Sequence, residues 1–186
     1  MGGAIIDFAQ DSPLVARNLI GMVLTVGGVG GIIVETEAYD REDPASHSFA
    51  GETPRNAVMF GPPGRAYVYL SYGIHWCLNF VCREAGHGAG VLIRALEPTT
   101  RVSRMARRRG QRAPRLLCSG PGRVGQALAI TRALNGKRLD APPFQLAPGI
   151  KPAGIACGPR IGISKAIHRP WRFGLQDSPF LSRPFA

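Results

Sequence analysis

Two carboxylates and a phenol stand at alternate positions in the run Gly31-Ile-Ile-Val-Glu-Thr-Glu-Ala-Tyr-Asp40. The run otherwise reads as an interior β-strand. Side chains alternate across a strand, so Glu35, Glu37 and Tyr39 share one face. A carboxylate on such a face is paired, exposed or functional, because desolvating an unpartnered charge is costly. A second charge lies in an equally apolar strand: Arg94, in Val91-Leu-Ile-Arg-Ala-Leu96, shares a face with Leu92 and Leu96. A buried guanidinium needs an anion, and Glu37 is a suitable one. Such a pair favours the ionised carboxylate, the form in which an acid can take a proton from water. The same residues are equally consistent with a structural salt bridge. A third reading uses Glu35 and Glu37 as the acid and base of a sugar hydrolase, since carboxyls two residues apart on one face approach the spacing of retaining enzymes.

Rings are the second chemical feature. Tyr39, His47, Tyr67, Tyr69, Tyr72, His75 and Trp76 crowd one stretch of a chain whose net charge is +11, most of it from arginine. A field of that sign attracts polyanions, and the arginine fork suits phosphate oxygens. Rings beside such a surface can stack on nucleobases, at about 1 to 3 kcal/mol per base, although core packing accounts for some of them equally well. Tyr72 differs, because it falls at a predicted hairpin tip where a core side chain has little to pack against. A projecting ring can wedge between base pairs. Nucleic acid is therefore the expected partner, and a neutral sugar would gain nothing from the excess charge.

The elements that must position these groups follow from punctuation and periodicity. The 186 residues fit a single domain, 1–186, and 24 Gly with 16 Pro predict short elements and many turns. Residues 11 to 21 carry helix signals, with Asp11 and Ser12 as caps, Pro13 in the first turn and Gly21 at the end. Met22 to Val26 and Ile32 to Tyr39 form a hairpin around Gly27-Gly28-Val29-Gly30. Residues 40 to 51 form a loop bearing His47. Thr53-Pro54 opens a short helix that Gly61-Pro62-Pro63-Gly64 terminates. A second hairpin pairs Ala66–Ser71 with Ile74–Val81 through Tyr72-Gly73, where glycine supplies a positive φ. Val91 to Leu96 is a strand ended by Pro98, and Thr99 to Gly110 is a helix with Val102, Met105 and Ala106 inward. Seven arginines between 101 and 115 surround that helix and extend beyond it, and like charges this dense call for an anion nearby. Ser119-Gly-Pro-Gly-Arg123 leads into a helix over Val124 to Leu134. Residues 141 to 160 are rich in Pro and Gly, and Arg160 to Arg172 reads as two short strands around a basic loop.

Cys77, Cys82, Cys118 and Cys157 lack paired spacing, and the first residues lack a secretion signal, which points to reduced core thiols in a cytoplasmic protein. His75, Cys77, Cys82 and His87 match no familiar zinc spacing. No metal, cofactor or membrane partner is expected, and no apolar run approaches the length of a membrane span.

Val34-Glu-Thr-Glu-Ala-Tyr39, His47-Ser48, Thr53-Pro-Arg-Asn56, Met59-Phe60, Pro63-Gly64, Tyr67-Val-Tyr69, Tyr72-Gly73, Asn79 and Leu96-Glu-Pro98 occur in this order. Leu117-Cys-Ser-Gly-Pro121, Gln126-Ala-Leu-Ala-Ile130 and Pro159-Arg-Ile-Gly162 follow. Together they resemble the alkyladenine (3-methyladenine) DNA glycosylases, in a bacterial-type form, over nearly the whole chain. The resemblance implies an α+β fold: one compact domain with a curved antiparallel β-sheet, surrounding helices and a protruding β-hairpin. It implies a monomeric, monofunctional base-excision-repair enzyme. Such an enzyme flips an alkylated or deaminated purine from the minor-groove side of double-stranded DNA and hydrolyses the N-glycosidic bond. By motif position, Glu37 would activate the water and Arg94 would orient it. A main-chain carbonyl from Arg160-Ile-Gly-Ile163 would also touch it. Tyr39, His47, Tyr69 and Leu92 would line the base pocket, and Asn79 would crowd the amine of a normal guanine. Tyr72 would fill the gap in the duplex, with Ile74, His75, Arg55 and Arg123 as DNA contacts. His75 stands where some relatives carry an aromatic, and the loop between Tyr39 and His47 differs in length from longer relatives. Glu35 is left as a structural neighbour whose change to Gln would retain much of the activity.

Overall fold

A computed structural model describes residues 6–185; residues 1–5, part of the segment searched for a secretion signal, lie outside them. The described residues form eight strands: β1 (Val23–Val26), β2 (Val29–Tyr39), β3 (Ala66–Ser71), β4 (His75–Cys82), β5 (Ala89–Thr100), β6 (Phe144–Ala147), β7 (Ile155–Gly158) and β8 (Arg172–Leu175). They form one antiparallel sheet in the order β3-β4-β5-β2-β1-β6, with β8 pairing both β2 and β7. The α+β expectation holds.

The acidic strand is the axis of this sheet. One edge of β2 pairs with β5, from Gly30 opposite Thr100 to Tyr39 opposite Gly90. The other edge pairs first with β1 and then, at Glu35 to Glu37, with β8. Helix α1 (Ser12–Asn18) covers one face, where Thr36 Oγ1 donates to the Ala16 carbonyl at 2.9 Å. With edges and faces occupied, even Glu35 and Glu37 are wholly buried.

The first hairpin is tighter than the sequence suggested. Gly27 and Gly28 alone make the turn, at φ of 57° and 72°, and Val29 and Gly30 join the strand. Two successive positive φ values give a two-residue turn whose twist matches that of the flanking strands. Nor does Pro98 end β5, which continues to Thr100. Pro98 faces Gly31 where the register shifts, so its missing N–H breaks no regular ladder. The backbones come so close here that a Cβ on Gly31 would lie 1.9 Å from the Glu97 carbonyl oxygen.

The remaining helices shorten. Thr99 to Gly110 contracts to α2 (Val102–Arg109), with Met105 buried and Gly110 in the left-handed region at its end. The helix expected from Val124 begins earlier and stops sooner, as α3 (Pro121–Ala127). Ala129, at φ 56°, breaks it before a 3₁₀ turn at Arg132–Leu134. The segment opened by Thr53-Pro54 is a 3₁₀ turn at Ala57–Phe60. Asp11 does not cap α1 through its side chain; it pairs with Arg83, and Ser12 Oγ is buried without a partner. The Pro- and Gly-rich region hides β6 and β7, and the strands expected inside 160–172 lie on either side as β7 and β8.

Three of the four thiols are core, as expected, while Cys157 is exposed. α1 and the sheet bury Val15, Leu19, Leu24, Ile33 and Leu96 completely; truncating one such leucine to Ala costs about 2–5 kcal/mol. α3 lies directly against β4, where a Cβ on Gly125 would meet the Trp76 carbonyl oxygen at 2.0 Å. That contact fixes α3 beside the second hairpin.

Candidate active site

Alternation along β2 puts Glu35, Glu37 and Tyr39 on one face, and an irregularity in its pairing with β5 delivers Arg94 to them. Ile33 faces Leu96, Glu35 faces Ala95 and Thr36 faces Ile93, so Val34 and Arg94 fall out of register. Bulged positions re-aim side chains. Arg94 thereby spans both acids, with Nε 3.3 Å from Glu35 Oε1 and Nη1 3.3 Å from Glu37 Oε2.

Glu37 has two further donors. The Tyr39 hydroxyl reaches Oε2 at 2.8 Å, and the backbone N–H of Ile161 reaches Oε1 at 2.7 Å. Burial and the adjacent Glu37 charge push the Tyr39 phenol well above its ordinary range, so it stays protonated and donates. Each carboxylate oxygen accepts two hydrogen bonds. Oε2 is therefore filled and Oε1 keeps one acceptor direction.

Glu35 shares Arg94 with Glu37, but its other partners differ. It accepts from Arg172 Nε at 2.7 Å and from Ser182 Oγ at 2.8 Å, in addition to the Ser182 N–H and Arg94. Its oxygens are committed to β8 and the C-terminal tail, which removes it as a partner acid for Glu37. It is also more than a neighbour: it joins Arg94, Arg172 and Ser182 in one hydrogen-bonded cluster.

Tyr39, Arg94 and Ile161, the three groups that hold Glu37, all line a cavity of about 550 Å³. His47, Tyr69, Asn79 and Leu92 line it as well. β3 and β4 supply its aromatic and polar wall, where Tyr67 pairs with Asn79 and Tyr69 with Cys77 across the hairpin. The His47 ring meets Tyr69 edge-on at 4.5 Å between centroids, and its Nδ1 is 3.1 Å from the Tyr67 hydroxyl. His47 keeps an exposed edge, yet loss of hydration and the nearby Arg55 lower its pKa below the ordinary 6.5. Burial pushes the Tyr67 phenol up to about 12. Asn79 Nδ2 donates to the Tyr67 carbonyl at 3.2 Å.

Two residues that sequence reasoning did not assign to the site help build it. Tyr67 enters the sequence reading as one ring among several and within the Tyr67-Val-Tyr69 motif, without a role of its own; its alternation with Tyr69 along β3 is the available signal. Asn56 ties the His47 loop down, donating to the His47 carbonyl at 2.8 Å and the Gly51 carbonyl at 3.0 Å. Nothing in its spacing announces that.

The second hairpin stands at the cavity's rim. Tyr72, Gly73 and Ile74 connect β3 to β4, and Tyr72 (φ 50°) and Gly73 (φ 69°) both occupy the left-handed region. Tyr72 is 89% exposed and Ile74 71% exposed, an unusual cost for large apolar groups. His75 is exposed beside Gly122 at the start of α3. Arg55 contacts the Leu70 carbonyl at 3.3 Å, and Arg123, farther along α3, holds Ser119 Oγ at 2.7 Å. The nearby helix α2 contributes further arginines, none of them in a salt bridge among the described residues.

Among the described residues no group of three or more His, Cys, Asp or Glu side chains is arranged to hold a metal ion, and no helix is long and apolar enough to cross a membrane. The residues weighed as zinc ligands are dispersed: His75 is exposed, Cys77 lines the cavity, Cys82 is buried at the end of β4, and His87 pairs with Asp40 at 3.0 Å.

The family model of methylpurine-DNA glycosylase (MPG) matches residues 6–179. A protein of Nitrosospira multiformis, provisionally named a 3-methyladenine DNA glycosylase, is 67% identical over 97% of this chain and 93% of its own length. Similarly named proteins of Rhodopseudomonas palustris and Rhizobium meliloti are 62% and 60% identical, each over 96% of this chain and over 90% and 95% of their own lengths.

Proposed function

The chain belongs to the methylpurine-DNA glycosylase family, and from that premise we propose that it excises damaged purines such as 3-methyladenine from duplex DNA. The observation that carries this reading is the fully buried Glu37, held by Tyr39, Arg94 and Ile161 behind a ring-lined cavity whose rim bears an exposed tyrosine.

The damaged nucleotide leaves the helix from the minor-groove side and enters the cavity, while Tyr72 fills the space it vacates. Tyr39 and Tyr69 stack on the purine. Electron-rich rings favour a base made cationic by alkylation. With the Tyr67 hydroxyl as donor to His47 Nδ1, the tautomer this reading requires, Nε2–H is free to donate to the base. Asn79 crowds the exocyclic amine that a normal guanine carries. Flipping adds selectivity, because a damaged or mispaired base costs less to extrude.

Chemistry then needs one activated water. Glu37 Oε1, with its open acceptor direction, takes the proton as the water oxygen bonds to the sugar C1′. The N-glycosidic bond breaks, and its electron pair leaves with the purine, neutralising an N3- or N7-alkylated ring. Arg94 and the Ile161 N–H keep the carboxylate charged and aimed. Among the described residues no lysine lines the cavity, so a Schiff base to the sugar is not expected and the product is an intact strand with an abasic site. Phosphate contacts come from the exposed arginines, Arg55 and Arg123 among them, with His75 and Ile74 beside the wedge. The protein acts as a monomer in the bacterial cytoplasm, with DNA as its partner.

The test is a panel of duplexes carrying single lesions, assayed for free base and, separately, for strand cleavage with and without alkali. Free base with cleavage only after alkali supports the reading. Binding without base release would instead identify a non-catalytic DNA-binding module.

A further inference from the structure

Arg160 is buried, and its guanidinium joins three segments that share no continuous element. Nη1 donates to the Ala38 carbonyl at 2.9 Å, at the end of β2, and also meets Asp43 Oδ2. Nη2 donates to Asp43 Oδ1 at 2.9 Å, completing a two-pronged pair in which both side chains are fully buried. The guanidinium lies over the Tyr39 ring, 4.7 Å from its centroid, and also approaches the Trp171 ring at 5.4 Å.

Each attachment leads to a part of the cavity. Tyr39 lines it and donates to Glu37. Asp43 starts the turn toward His47: its Oδ1 accepts from Ala45 N–H at 3.1 Å, and its carbonyl accepts from Ser46 N–H at 2.8 Å. The residue after Arg160 is Ile161, whose N–H holds the oxygen of Glu37 that keeps an open acceptor. Arg160 itself does not line the cavity and touches neither carboxylate of β2. One of its donors, Nε, is buried without a partner.

We infer that Asp43 and Arg160 are a positioning pair: together they set the Tyr39 ring, the His47 turn and the Ile161 N–H against Glu37. The inference rests on the proposed glycosylase reading and adds to it two residues that act through others. A buried fork fixes direction as well as distance, which a point charge does not. Misplacing reacting groups by about 1 Å can cost about 10²-fold in rate.

The experiment compares the full-length wild type with Arg160→Lys, Asp43→Asn and the double variant, each first checked for cooperative thermal unfolding. Single-turnover release of 3-methyladenine from duplex is measured with enzyme in excess. Affinity is measured for a duplex with a tetrahydrofuran abasic site, which reports the wedge and the basic surface but lacks a base to stack on Tyr39. The expected result is release slowed about 10²-fold in each single variant, affinity changed far less, and a double variant no slower than the slower single one. Unchanged release in the folded variants overturns the inference. So does an equal loss of release and affinity, the mark of a merely structural pair. If Arg160→Lys does not fold, Asp43→Asn carries both readouts. A wild type that releases no purine at all defeats the glycosylase reading instead.

Discussion

The Ile161 backbone N–H donates to Oε1 of Glu37 at 2.7 Å, across a sequence separation of 124 residues. It contacts the carboxylate itself, from the same stretch whose main-chain carbonyl the family resemblance places beside the water. Together with Tyr39 and Arg94 it gives one buried acid three donors and leaves one acceptor direction.

Glu37→Gln therefore removes the proposed proton acceptor and turns part of a three-donor site into a donor facing donors. Base release should fall by about 10² to 10⁴-fold, while binding to lesion-bearing duplex persists. Single-turnover assays alongside gel shifts check this; release at the wild-type rate would falsify the mechanism.

Glu35→Gln should act differently from the mild change that sequence reasoning expected. Glu35 neutralises Arg172 and shares Arg94, and it receives two bonds from Ser182. Breaking a buried pair costs about 3–5 kcal/mol, so the expected outcome is a large drop in melting temperature and a loosened Arg94. Denaturant unfolding of the two variants side by side separates them: Glu35→Gln is the less stable, Glu37→Gln the less active.

Tyr72→Ala should leave stability within about 0.5 kcal/mol, as an exposed side chain buries little, yet impair extrusion of the base. A fluorescent base analogue opposite the wedge reports this directly. An unchanged signal on binding the variant would count against the wedge.

His47 should titrate below the ordinary value of 6.5, chiefly through burial and secondarily through Arg55. A depressed pKa means that the folded protein favours the neutral ring. Its contribution to stability is complete above 6.5 and is lost as pH falls through the lower folded value. Ring titration by NMR should give a midpoint under 6.5 that rises in Arg55→Gln. A midpoint at or above 6.5 in the wild type contradicts the placement of the ring.

Exposed arginines without acidic partners should bind phosphate and release counterions. Affinity for duplex should fall steeply between about 50 and 200 mM salt. Arg123→Gln should reduce the log–log slope by about 1. A slope equal to that of the wild type would remove Arg123 from the contact surface.

How far these positions could be read in advance depended on whether their signals were local. Period-2 alternation made the Glu35, Glu37 and Tyr39 face legible, and the Tyr72-Gly73 pair marked the hairpin turn, since both depend on neighbouring residues. The Pro98 strand end and the long helix after Val124 were misjudged because tertiary pairing carried β5 past its proline and the positive φ of Ala129 cut α3 short. β6 and β7, four residues each, were hidden because each has too few positions to show a period and depends on a partner strand.

By itself the sequence determined which residues could do chemistry, which face of the strand they share, the basic field around them and the family they resemble. The resemblance already favours Glu37 over Glu35, but only the tertiary structure supplies the physical difference between the two acids. Glu35 and Glu37 are equivalent by alternation, and both reach Arg94. They differ because β8 and the tail bring Arg172 and Ser182 to Glu35, while the segment after Arg160 brings one backbone N–H to Glu37. Those partners arrive from more than a hundred residues away. A carboxylate's role is set by the donors around it in space, which no local pattern in the chain encodes.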